Sequence, residues 1–111
     1  CKNLYLIKGN HDKNWSESGL FKEVCDYKEL KLDDGVRAVL FHYPIMDWNG
    51  CSHHSRDDAD RMWSIHLHGH IHSQGNDYNI RNFIKKIYRY DVGVDANNYM
   101  PVSLDEILAL R

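Results

Sequence analysis

The sequence predicts an α/β (α+β) fold, a mixed β-sheet with flanking helices, and three observations carry that expectation. Short apolar or alternating runs end repeatedly in glycine or proline: Leu4 to Ile7 before Gly9, Val36 to Phe41 before Pro44, and Trp63 to Leu67 before Gly69. Runs of that length and pattern read as strands. Ile80, Phe83, Ile84 and Ile87 recur at i, i+3, i+4 and i+7, the spacing of an apolar stripe on a helix. Ser103 precedes Glu106 by three residues, a capping box that starts a helix at Leu104.

Taken in order, Leu4 to Ile7 is a buried strand running into a loop that carries Asn10, His11 and Asp12. Leu20, Phe21, Val24 and Cys25 are spaced by one, three or four, a weak helical pattern with one face for a sheet. Tyr27 to Leu32 and Val36 to Phe41 flank Asp33-Asp34-Gly35, turn residues that predict a β-hairpin. Pro44 cannot donate to a ladder, so this second strand ends just after His42. Asn49 to Asp60 is polar and reads as a surface loop or a short exposed helix, with His53 and His54 as ordinary exposed residues. Gln74 to Asp77 is turn material, Arg81, Lys85, Lys86 and Arg89 form the solvated face of the following helix, and Tyr88 to Val94 is a further strand.

A chain of 111 residues with 42% hydrophobic and 27% charged residues is one globular domain, 1–111. The formal charge of -2 argues against a broad basic face, which leaves nucleic acid only as a substrate. No apolar run approaches the roughly 18 residues of a spanning helix, and no charged-then-apolar leader opens the chain. The sequence therefore reads as cytoplasmic, without a membrane partner. Cys1, Cys25 and Cys51 are odd in number, with no CxxC pair, so neither a disulfide framework nor a thiolate metal site is expected.

Four of the eight histidines fall within seven positions, in "HLHGHIH". Residues two apart in an extended segment point the same way, so His70 and His72 are expected to reach one metal site or two adjacent ones. His68 is expected to support them from behind, and His66, deeper in the strand, to be structural. Three strands thus end in loops bearing histidine or asparagine, where an α/β sheet gathers its ligands.

"GNHD" after one strand, "FHYP" after a second and "HGHIH" after a third, in this order, resemble the last three metal-site motifs of the calcineurin-like metallophosphoesterases, and "YDVGVDANNYMPVSLDEI" is similar to the ends of small bacterial members. The resemblance implies the C-terminal half of a two-sheet β-sandwich, with about five strands and three helices. It implies that Asn10, His42 and His70 bind the second of two metals, that His72 binds the first, and that His11 protonates the leaving group. Asp12 is expected to brace the loop. The implied activity is hydrolysis of phosphate mono- or diesters by metal-bound hydroxide between two cations. The nitrogen and oxygen donors suit Mn, Fe, Zn or Co.

The family's Asp-x-His and Gly-Asp motifs, which supply most of the first metal's shell, do not occur ahead of Cys1, and no Asp-x-His stands anywhere in the chain. The chain therefore reads as N-terminally truncated, holding at most one metal firmly and weak or inactive alone. An apolar sheet face left uncovered by such a truncation is a surface for self-association. A silent protein-binding scaffold and a simple metal-binding module are the competing functions. Trp15, Trp48 and Tyr43 lie near the ligand loops in sequence and are expected to pack rather than recognise substrate.

Overall fold

The computed structural model describes residues 4–32, 35–50, 64–75 and 77–110. The segment holding His53, His54 and Trp63, and the turn residues Asp33 and Asp34, lie outside the described residues. Among the described residues the fold is mixed α+β, with two sheets and three helices. Its strands are β1 (Tyr5–Ile7), β2 (Glu23–Cys25), β3 (Tyr27–Lys31), β4 (Arg37–Phe41), β5 (Ser64–His68) and β6 (Arg89–Asp91). The helices are α1 (Lys13–Ser16), α2 (Asp77–Ile84) and α3 (Leu104–Leu108), with a 3-10 turn at Val94–Ala96.

β1 and β2 form a parallel pair; β3, β4, β5 and β6 form the larger sheet in that order. The expected hairpin is present, with Tyr27 opposite Phe41 and Lys31 opposite Arg37. Leu32 N–H donates to Val36 O at 2.8 Å, and Gly35 closes the turn at φ +84°, a conformation that glycine adopts without steric cost. β4, β5 and β6 run parallel, so their C-terminal ends open on one edge of the sheet.

β5 is one of the two inner strands of the larger sheet, and its alternation sorts two environments. Ile65 is fully buried in a core with Val36, Ala38, Phe83, Tyr90 and Ile107. His66 and His68 point to the other side, also buried, and their rings lie 5.2 Å apart.

The structure corrects the expected helix around Leu20 to Cys25. Glu23–Cys25 instead pairs with β1, Leu6 opposite Val24, and Leu20 is exposed. Gly19 (φ +77°) breaks the chain just before, and the few residues that remain are too short to nucleate a stable helix, whereas β1 offers an open edge. A single turn, α1, forms earlier. The strand expected over Tyr88 to Val94 is shorter, ending at Asp91 before the 3-10 turn. α3 begins at Leu104 as expected, Ser103 Oγ accepting from Glu106 N–H at 3.1 Å.

α2 exists where the stripe predicts it, but of the stripe only Phe83 reaches the core, and Ile80, Ile84 and Ile87 are exposed. Ile84 is 74% exposed, while Asn79, Asn82 and Phe83 are buried. Asn79 Nδ2 donates to Asp91 O at 3.1 Å and its Oδ1 accepts from Asp91 N–H at 2.7 Å. Asn82 Nδ2 donates to Arg89 O at 3.1 Å. These amides take the place of a neighbouring strand along the outer edge of β6, whose polar groups would otherwise be unpaired in a buried setting. Among the described residues no helix is long and apolar enough to cross a membrane.

Candidate functional site

The site forms where the loops after β1, β4 and β5 meet. His42 follows β4 directly, and His66 holds that exit in place. Its Nδ1 lies 3.0 Å from Val39 O, and its Nε2 accepts from Ile45 N–H at 3.3 Å and lies 3.2 Å from Tyr43 O. Trp48 packs on the same ring with centroids 5.4 Å apart. Burial pushes the His66 imidazole below its usual range, which keeps it neutral and able to accept.

The loop after β5 is fixed at both ends. Gly69 N–H donates to His42 O at 2.9 Å. At the far end Ser73 N–H donates to Asp91 Oδ2 at 3.1 Å, and the Ser73 hydroxyl donates to the same oxygen. Between them His70 (φ 73°) and His72 (φ 50°) both adopt left-handed backbone conformations, each costing about 1 kcal/mol for a residue with a Cβ. The expectation that these two side chains share a direction by strand alternation is therefore corrected: both line one cavity because the backbone turns at each. His68 lies beneath this loop, its Nδ1 3.0 Å from Gly69 O and its Nε2 3.0 Å from Tyr78 Oη.

Asn10, His42 and His70 converge from three distant segments. His42 Nε2 stands 3.0 Å from Asn10 Oδ1 and 3.2 Å from His70 Nδ1. Donors about 2.1 Å from a common ion stand about 3.0 Å apart in an octahedral shell and about 3.4 Å apart in a tetrahedral one. Both separations from His42 fall in that window, the spacing of ligands that share a divalent transition metal. Asn10 Nδ2 lies 3.2 Å from His11 Nε2, which turns the amide oxygen toward His42. Burial holds the His42 imidazole below its ordinary value, and His70 beside it acts in the same direction, so at neutral pH the ring offers a lone pair.

Glycine makes the convergence possible. A Cβ on Gly9 would stand 2.8 Å from the His42 ring, too close to be accommodated, whereas one on Gly69 would make an ordinary contact at 3.7 Å. Asp12 braces the first loop as expected, its Oδ2 accepting from Gly9 N–H at 2.8 Å.

A cavity of about 370 Å³ opens over the trio, lined by Asn10, His11, Asp12, His42, His70 and His72. Among the described residues no group of three His, Cys, Asp or Glu side chains is placed to hold an ion; the convergent set is two histidines and an asparagine. His72 is joined to Asp95, Nδ1 to Oδ2 at 2.8 Å. Of the aromatic residues, Trp48 is buried against His66, Trp15 is exposed on α1, and the Tyr43 ring lies 4.5 Å from that of His70.

Sequence reasoning missed Asp91 and Asp95. The signal was present: Asp91 ends β6, the third strand ending on this edge, and Asp95 follows it. Asp91 is 1% exposed and also accepts from Gly93 N–H at 2.9 Å, so the buried carboxylate is satisfied by three donors.

No family model and no curated protein matches this chain. Among solved structures, a protein of unknown function from Aquifex aeolicus matches with a TM-score of 0.64 and 27% identity over 98% of this chain. The chain spans 61% of the length of that protein, with which it shares this fold.

Proposed function

We propose that this chain is part of a metal-dependent phosphoesterase of the kind its motifs resemble, the calcineurin-like metallophosphoesterases, acting in the cytoplasm on phosphate mono- or diesters. The observation that supports it is the meeting of Asn10 Oδ1, His42 Nε2 and His70 Nδ1 at separations of 3.0 and 3.2 Å. Three segments brought together at ligand spacing are what the motif order requires.

In this reading Asn10, His42 and His70 hold one ion of Mn, Fe, Zn or Co. His11, at the cavity wall, donates to a phosphate oxygen and protonates the leaving group. His72, which lines the same cavity, would be a ligand of a second ion, for which the described residues offer too few donors, so the chain alone would hold at most one ion firmly. When both are bound, the cations offset phosphate charge and activate water for in-line attack. The exposed apolar side chains Tyr5 of β1, Val24 of β2 and Leu4 just before β1 make self-association part of the same proposal, which sedimentation checks directly.

A simple metal-binding module is the second reading, favoured by a donor trio that needs no further residue to seat one ion. Calorimetric titration with zinc or manganese should show one ion per chain, with affinity reduced more than tenfold in His42→Ala. A phosphomonoester and a phosphodiester assayed with metal should turn over weakly or not at all. A version carrying Asp-x-His and Gly-Asp segments ahead of Cys1 should cleave one of them. Its failure to do so, with metal bound, selects the metal-binding module; no binding at His42 overturns both readings.

A further inference from the structure

The contact between His72 and Asp95 has a polarity that the metal motifs do not account for. The His72 side chain is 78% exposed, whereas that of Asp95 is only 26% exposed. An exposed imidazole ordinarily samples several rotamers and both neutral tautomers. Here its Nδ1 is fixed 2.8 Å from Asp95 Oδ2. Asp95 is itself rigidly carried. It sits in the 3-10 turn, where Ala96 N–H donates to Gly93 O at 3.1 Å. Asn97 Nδ2 ties that turn to Gly93 O and Asp91 O at 2.8 and 3.0 Å. The Asp95 carbonyl also accepts from Gly75 N–H at 3.2 Å, joining the chain just past His72 to the same residue.

We propose that Asp95 is a positioning residue of the site: its carboxylate accepts from His72 Nδ1–H, fixes that tautomer, and leaves the Nε2 lone pair free for a cation at the cavity. The nitrogen of a histidine that carries the proton is set by the bond the other nitrogen makes. Metal-ligating histidines almost always give their second N–H to a carboxylate, carbonyl or water, which fixes the orientation of the ring. A carboxylate is an acceptor only, so with a neutral ring the shared proton must reside on Nδ1. The cation in this statement rests on the proposed function; the tautomer does not.

The test is the long-range proton–nitrogen spectrum of the histidine rings in ¹⁵N-labelled protein at pH 8, where an ordinary imidazole is neutral. His72 should carry its proton on Nδ1. Asp95→Ala should invert the Nδ1 to Nε2 protonation ratio by about tenfold or more, while the His42 and His70 signals and the backbone spectrum stay in place. Asp95→Asn, which presents either an oxygen or an N–H, should give a mixture and serves as the milder variant if the alanine protein is perturbed. A wild-type His72 protonated on Nε2, or a tautomer unmoved by both substitutions, overturns the role of Asp95. A separate addition of zinc chloride should shift His42 and His70 in wild type and in Asp95→Ala alike. Zinc shifting neither ring overturns the metal reading of the site, whatever the His72 tautomer shows.

Discussion

The four clustered histidines divide into two pairs that share a stretch of chain and little else. His66 and His68 lie on β5, at most 1% exposed, with both nitrogens of each ring engaged by protein groups. His70 and His72 follow in left-handed backbone conformations and line an open cavity, with His70 Nδ1 turned toward His42 Nε2. The residue type is constant, and the environment assigns the work. Rings satisfied internally hold the loops in place. Rings held in strained backbone, with a nitrogen facing the cavity, are available for chemistry.

The sharpest way to break this contrast is to remove a buried ring. His66→Ala leaves a cavity beside Trp48 and removes the ring's bonds to Val39 O and Ile45 N–H. Lost packing and lost hydrogen bonds together should cost about 4 kcal/mol, read as a fall in urea midpoint. The exit of β4 is then no longer held, so His42 should lose its position and metal affinity should fall as well. If stability is unchanged, His66 is not the brace described here.

Acid tests the second buried ring. Burial pushes His68 down to about 4 from the ordinary 6.5, outweighing the opposing bond to Gly69 O. Below pH 6.5 the unfolded chain takes up a proton that the folded ring refuses until about pH 4. The unfolded state therefore binds more protons across that window, and stability falls as pH falls from 6.5 to 4, by up to roughly 3 kcal/mol. The depressed values of His66 and His42 act with the same sign. His68→Gln, which keeps hydrogen-bonding capacity without titrating, should flatten part of that slope in denaturation curves at pH 7, 5.5 and 4.5.

How far the sequence foretold this arrangement depends on what each signal reports. Turn chemistry at Gly35, glycine after β5 and the Ser103 cap are local, and the hairpin, the end of β5 and the start of α3 appeared where expected. Asn10, His42 and His70 were legible as candidates because each follows a strand, and as a ligand set through the family resemblance of their motifs. What was not legible is the work of side-chain amides and carboxylates acting at a distance. The stripe of Ile80, Phe83, Ile84 and Ile87 implied the buried face of α2, yet only Phe83 reaches the core, and Asn79 and Asn82 dock the helix beside it because the edge of β6 needs donors and acceptors. Hydropathy counts an asparagine as polar and therefore outside. It carries no information about a backbone edge that the amide will complete. The same holds for Asp91, whose three bonds organise the loop that presents His70 and His72.

The smallest expected effect is on the exposed side of the comparison, and it is the most discriminating. His70→Gly removes the Cβ from a residue at φ 73°, which should return about 1 kcal/mol of backbone strain. Against this, glycine gives up more unfolded-state freedom on folding, about 0.5–1 kcal/mol, and the ring contacts to Tyr43 at 4.5 Å and His42 at 5.1 Å are lost. The two backbone terms nearly cancel, and the lost ring contacts should leave a net destabilisation of about 1 kcal/mol, read in denaturation curves. Zinc affinity, by contrast, should drop more than tenfold, because one of three converging donors is gone. A large loss of stability with metal affinity retained would invert the division between the two pairs: His70 would then be a structural ring, and the strain at its backbone would need another cause.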